Sequence, residues 1–376
     1  MRIVLFCHSL VSDWNHGNAH FLRGVVGELR RRGHLVDVFE PQDGWSLANL
    51  RADMGEAALK LFQTAYPSLR SNFYDPRTLD LDGTLDGADL VLVHEWTEPL
   101  LVHRLARHRR AGGRYRLLFH DTHHRSVTDP GAIAAADLAD FDGVLAFGEV
   151  IRRIYLSRRW TTRAWTWHEA ADVTVFRPLS AHPAGDLVWI GNWGDEERSR
   201  ELEEFLLGPV RRLRLAATIH GVRYPEEIRQ HLAASGIAYG GYLPNVQVPK
   251  IFSRHRVTVH VPRRPYAAAL PGIPTIRVFE ALACGIPLVS APWEDSEGLF
   301  RPGQDFLVAR DGTEMERHLR MVLHEPAYGA AIAQCGLHAL LARHTCRHRV
   351  DELLAICGEL GLAVESRSEN APCAAL

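Results

Sequence analysis

Two stretches of the chain hold the residues best suited to chemistry. The first, HDTHHR at residues 120–125, gathers three histidines and an aspartate within five positions. Such density raises the question of zinc. Adjacent side chains on one loop rarely converge on one centre, however, and no fourth ligand stands at a helical i, i+4 spacing. No metal is expected there. His120 is read instead as a polar or proton-transferring group, or as a structural histidine. It ends the apolar run Leu117-Leu118-Phe119, so a sheet should fix its backbone while its side chain projects into a cleft. Asp121 and His123 are close enough in sequence to bias its tautomer or charge.

The second stretch runs from Pro271 to Asp311. Its Pro-Gly-Ile-Pro opening cannot be helical, and Thr275 is placed to cap a helix by accepting a free backbone N–H. Ile276, Phe279, Leu282 and Ala283 recur at helical spacing with Glu280 among them, and Cys284-Gly285 ends the run. A loop, a helix N-terminus and a following strand together make an anion site, here with Arg277 as the nearby cation. The helix dipole contributes only about 0.3–1 kcal/mol when exposed, so a diphosphate would need that cation. Glu280 cannot help an anion. Its carboxylate suits the hydroxyls of a sugar or ribose. The plainer alternative is an ordinary helix with Glu280 facing solvent.

The elements that must position these groups alternate between strand and helix patterns. Ile3–Cys7 is an apolar run of the kind found in parallel strands covered on both faces. The polar loop 8–19, containing Gly17 and Asn18, leads into a helical segment, and 35–39 reads as the next strand. That loop lies where open α/β sheets bind ligands, but it lacks the GxGxxG pattern, so NAD is not expected. Strands at 89–94, 116–120 and 142–147 end in Glu95, in His120 with Asp121, and in Gly148-Glu149. The run 41–84 has weak periodicity and reads as irregular and partly helical. Residues 187–192, 213–219, 237–242 and 257–261 supply a second set of strands.

Composition bounds the rest. At 376 residues the chain exceeds one domain, and two of about 150–190 residues are expected. A formal charge of −2 gives no general attraction to nucleic acid or acidic membranes. Lysine occurs only at 60 and 250, a bias read as codon usage rather than a phosphate-binding surface. The six cysteines form no CxxC pair, which fits free thiols in the cytoplasm. No apolar run approaches the roughly 18 residues of a membrane span, so membrane contact is expected to be peripheral at most.

FEALACGIPLVSA, residues 279–291, resembles the nucleotide-sugar-binding helix of group 1 glycosyltransferases of the GT-B fold. With SEGLFRPGQDFLVARD after it, the run is most similar to the CgeB-like branch. The resemblance spans Arg2 to about Leu360 and is specific at 271–310. It implies two doubly wound, Rossmann-like α/β domains facing across a cleft. It also implies a metal-independent, retaining hexosyl transfer from a nucleotide diphosphate sugar to the hydroxyl of a sugar or other acceptor. On this resemblance Glu280 binds the donor ribose, while Pro274, Thr275 and Arg277 hold the diphosphate with Arg198 or Arg200. Gly17, Asn18, Gly191 and Asn192 complete the donor side, and Tyr242, in a GYLP step, receives the base. His120 and Asp121 stand at the reacting centre, with His20, Glu95 and His123 on the acceptor side. One departure is clear: many relatives carry an acid eight positions before this glutamate, where Gly272 stands here.

The domain reading is 1–178 for the acceptor side, 179–186 as linker and 187–345 for the nucleotide-sugar side. A helix at 346–362 should return to the first domain, and 363–376 should be a disordered tail. Two other functions fit the same fold: a nucleotide-sugar epimerase or hydrolase, or a non-catalytic binding protein, for which Gly272 speaks.

Overall fold

The computed structural model describes residues 1–364 of the chain; the expected tail lies outside them from residue 365 on. Two parallel sheets carry the structure. The first has seven strands: β1 (Arg2–Phe6), β2 (Leu35–Pro41), β3 (Asn72–Tyr74), β4 (Leu90–His94), β5 (Arg116–Asp121), β6 (Gly143–Ala146) and β7 (Ala164–Thr166). Their order is β3-β2-β1-β4-β5-β6-β7. The second has six: β8 (Gly185–Ile190), β9 (Ala217–His220), β10 (Ala238–Tyr239), β11 (His255–His260), β12 (Leu288–Ser290) and β13 (Leu307–Val308), in the order β10-β9-β8-β11-β12-β13. Each order reverses direction beside its first strand, at β1/β4 and at β8/β11. Such switch points open a crevice at the carboxyl ends of the strands.

The central strands are apolar throughout because helices cover both faces. β4, Leu-Val-Leu-Val-His, is buried at every position. Alternation still sorts its neighbours: Leu118 of β5 belongs to the core beneath the helix Ala19–Arg31, and Phe119 to the core on the opposite face. The run 41–84 is more ordered than its weak periodicity suggests, with helices Trp45–Met54 and Glu56–Ala65 ahead of the short strand β3. β3 and β7, three residues each, were too short to leave a pattern.

After β13 the chain forms helices Gly312–His324 and Pro326–Arg343 and then crosses back. Ala171 pairs in parallel with Thr345, and the helix Cys346–Glu359 packs on Ala19–Arg31. Val350, Leu353 and Cys357 of that helix are buried against the first sheet's core, and the Trp167 indole donates to the Arg349 carbonyl at 2.8 Å. At the crossing Gly24 leaves no room for a side chain: a Cβ there would stand 2.4 Å from Cys346 Sγ and 2.7 Å from Asp172 Cβ. Among the described residues, no helix is long and apolar enough to cross a membrane.

Candidate active site

The carboxyl ends of the two sheets face each other across a cleft of about 400 Å³. A smaller recess continues it beneath Tyr242 and Asn245. The loop after β1 brings His16, Gly17 and Asn18 to the first-domain wall. Gly191 and Asn192, just past β8, face them from the second. Gly17 presses so close to the second domain that an added Cβ would lie 3.0 Å from Ile276 Cγ2. Asn192 donates across the cleft to the side chain of Asn15.

The helix Ile276–Cys284 starts at the cleft wall. Thr275 is its N-cap in backbone terms, but its hydroxyl does not cap it. The hydroxyl lies instead 3.0 Å from His260 Nε2. Ser290 Oγ, 2.9 Å from the other ring nitrogen, gives its proton to the Ala291 carbonyl. His260 Nδ1 must therefore donate, leaving Nε2 to accept from Thr275. Burial, with Arg198 adding to it, pushes the His260 pKa down to about 3 and keeps the ring neutral. The first N–H groups of the helix are thus left open, as an anion site requires.

Four arginines line the cleft: Arg198, Arg223, Arg263 and Arg277. Arg198 donates to the Val261 and Asn192 carbonyls and stacks 5.1 Å over the Trp189 ring. Burial, then Arg263 and Arg277, lower its pKa to about 9, the condition of a cation crowded by like charges and short of an anion. Arg200, the alternative, is exposed. Pro274 is buried behind the loop.

Glu280 is fully buried and does not line the cleft. One carboxylate oxygen accepts from His20 Nδ1 at 2.9 Å and from Asn245 Nδ2 at 3.1 Å, and the other from Arg277. Burial alone would raise its pKa, but Arg277 and His20 outweigh it and hold the group below the usual range. His20 is likewise not on the wall. It is buried at the second position of Ala19–Arg31, stacked on Phe176, and ties the first domain to the second through Glu280. Tyr242 lines the recess and donates to Asp13, which also takes Arg23 and the Asn245 amide.

On the first domain, His120 does not project into the cleft. It shares the face of Leu118, so its ring packs between Phe21, Trp167 and His94, and burial lowers its pKa to about 3. The next residue points the other way, by strand alternation. Asp121 is buried and accepts from the Tyr155 hydroxyl at 2.9 Å and the His123 amide at 3.0 Å. Burial raises it to about 6. Glu95, also below the surface, accepts from the amide and hydroxyl of Thr122; burial and Asp121 raise it well above the carboxylate range. These groups brace the Thr122–His124 loop from beneath. Thr122, His123 and His124 themselves reach the cleft.

Several wall residues escaped the sequence reading. His8, His16 and the half-exposed Trp45 and Trp96 form an aromatic side on the first domain, with His8 stacked on Trp45 at 5.6 Å. Glu197 reaches Arg263 at 2.6 Å and lies 3.9 Å from His124 of the other domain. Glu169, just after β7, belongs to no stretch singled out in the sequence. A loop collecting His8 and His16 after β1 was the one signal available.

Gly272 has a backbone reason. Its φ is +90°, and a Cβ would meet Glu297 Oε1 at 2.7 Å and Ser296 Oγ at 2.8 Å. The Glu297 carboxylate fills that space, accepting from the Glu149 amide at 2.8 Å and pairing with His168 at 3.0 Å. Gly272→Ala is expected to cost about 1–3 kcal/mol in thermal unfolding; an unchanged melting temperature would refute this account of the position.

Buried neutral histidines also set an acid limit. His8 is lowered by burial to about 4, and His120, His260 and His344 to about 3. Each folded pKa lies below the unfolded value, so each costs stability as pH falls below about 6.5, by about 1.4 kcal/mol per unit. Glu40, Glu95, Asp121 and Glu169 are raised and act oppositely down to their unfolded values near 4–4.5. The steep loss should therefore fall between pH 4.5 and 3, where the histidines and the depressed carboxylates Glu28, Glu149, Glu280 and Glu314 still respond. A melting temperature flat across that window would contradict it.

Residues 198–355 match the glycosyl transferase-like family. No curated protein matches the chain. Among solved structures, a sucrose-phosphate synthase from Thermosynechococcus elongatus superposes with a TM-score of 0.65 at 14% identity, covering 96% of this chain and 99% of that one. HepE from Anabaena, in complex with UDP and glucose, superposes with a TM-score of 0.66 at 12% identity over 95% of this chain and 99% of its own. The T4 phage enzyme BGT, in complex with UDP and Mn²⁺, gives 0.61 at 12% identity over 96% and 100%. The chain has the GT-B fold, with a glycosyl transferase-like domain in its second half.

Proposed function

We propose that this protein is a glycosyltransferase that moves a hexose from a UDP-sugar to an acceptor hydroxyl, with retention of configuration. The observation that carries the reading is the open helix start at Thr275, ringed by Arg198, Arg263 and Arg277 at the switch point of the second sheet. Open N–H groups and three cations suit a diphosphate leaving group, whose negative charge grows as the glycosidic bond breaks. Gly191, Asn192, Gly17 and Asn18 border the same space, and Tyr242 with Asn245 lines the recess suited to the base. Glu280 acts here through Arg277 and Asn245, which it orients, and His120, Asp121 and Glu95 act by supporting the His123 loop. The side formed by His8, His16, Trp45, Trp96 and His123 is the acceptor side. Indoles with neutral imidazoles suit the faces and hydroxyls of a sugar.

In this reading the arginines neutralise the diphosphate without a divalent cation, so turnover should persist in EDTA. The domains divide at 179–186, with 346–362 serving the first, and the run SEGLFRPGQDFLVARD supports the CgeB-like branch. The five cysteines among the described residues are free, which fits a reducing cytoplasm. The test is a thermal-shift screen with UDP-, GDP-, ADP- and TDP-glucose: UDP-glucose at 100 times its Kd should stabilise by about 2.7 kcal/mol. No shift with any of the four would sink the reading.

A further inference from the structure

Glu169, on the loop after β7, is the one carboxyl on the cleft wall without a protein partner among the described residues. Two acidic side chains of described position line the cleft, Glu197 and Glu169. Glu197 is held by Arg263. Asp13, in the adjoining recess, is held by Arg23 and Tyr242. Glu169 is 3% exposed, and its Oε1 is buried with no hydrogen-bond partner. Such a group is expensive to leave unmade, and it persists where a ligand completes it. Its backbone is pinned instead: the Glu169 carbonyl accepts from Arg349 Nε, and Ala171 pairs with the 344–346 segment.

Its surroundings say which part of a ligand it meets. Thr275, Ile276, Arg277 and Tyr266 share the cleft wall with it, and the charges of Glu280 and Arg277 act on it. On that wall it stands with the start of the diphosphate helix and with Tyr266, whose ring lies 5.2 Å from that of His124 on the first-domain loop. A carboxylate facing the diphosphate itself would be repelled. A carboxyl one group beyond it, towards the first domain, meets the sugar. The position that would otherwise send an acid from the second domain, Gly272, is closed by Glu297. We propose that Glu169 binds a hydroxyl of the transferred sugar, so that the first domain, not the second, supplies the carboxyl that recognises the donor's hexose. This rests on the glycosyltransferase reading.

The test compares UDP and UDP-glucose binding by calorimetry to the full chain and to Glu169→Gln. Any charge that the isosteric amide removes near Arg277 moves both probes alike. A contact with the sugar moves only one. Glu169→Gln should bind UDP within about threefold of the parent and UDP-glucose about 10- to 100-fold more weakly. Glu169→Asp, which keeps the carboxyl one methylene short, should fall between and serves if the amide variant misfolds. Equal shifts for the two probes, or none, would overturn the assignment while leaving the function standing. A parent protein that binds neither probe would remove both.

Discussion

Arg277→Ala should lower kcat/KM by about 10²–10³, the usual effect of removing one donor aimed at developing negative charge. Arg277 stands on the first turn of the helix whose N–H groups are open, and it is half-buried, so its charge is only partly screened. The loss should fall on UDP affinity as well as on turnover, because a diphosphate is anionic in the ground state too. Arg277→Lys keeps the charge but gives up the planar fork that reaches both a phosphate and Glu280, and should recover only part. Steady-state kinetics with UDP-glucose and calorimetry with UDP read both quantities. A loss below threefold in each would place the diphosphate elsewhere.

Glu280→Ala should unfold the protein more readily by about 3–5 kcal/mol, as is usual when one member of a buried ion pair is removed. The carboxylate has no exposed surface, and the ring of His20, equally buried, loses the partner of its Nδ1. The substitution also frees Asn245 and Arg277. At about 2–4 °C per kcal/mol for domains of this size, the melting temperature should fall by roughly 6–20 °C. His20→Ala should cost part of the same energy, and the double variant less than the sum, because the two share one contact. A Glu280→Ala protein melting with the parent would return this residue to direct work on the ligand.

The contrast between Glu280 and Glu169 shows where a sequence informs and where it stops. The helix around Glu280 was legible because its boundaries are chemical: Pro and Gly before it, Cys284-Gly285 after it, apolar spacing between. What that spacing could not reveal was the partner. His20 is 260 positions away, and no local pattern announces a contact made by folding two domains together. The same limit misplaced His120. A strand-end histidine can face either side of the sheet, and a one-residue difference in alternation decides between cleft and core. Glu169 left no local trace because it follows a three-residue strand and becomes notable only through the absence of a partner. The parallel sheets, by contrast, were readable from apolar runs such as 90–94, since burial on both faces leaves its mark residue by residue.

The return of Cys346–Glu359 to the first sheet orders events at the ribosome. The face of Ala19–Arg31 and Trp167 that this helix covers is made early, yet its cover emerges only after the whole second sheet has been synthesised. Until then the nascent first domain carries an apolar face with nothing on it, and a second-domain residue, Glu280, is still missing from His20. The first domain therefore cannot finish as an independent unit during translation. Its completion waits on the second, so the nascent chain needs protection of that face over about 180 residues of synthesis, several seconds to tens of seconds at about 5–20 residues per second. Slow translation through the second domain would lengthen that exposure, whereas the finished protein would show no sign of it.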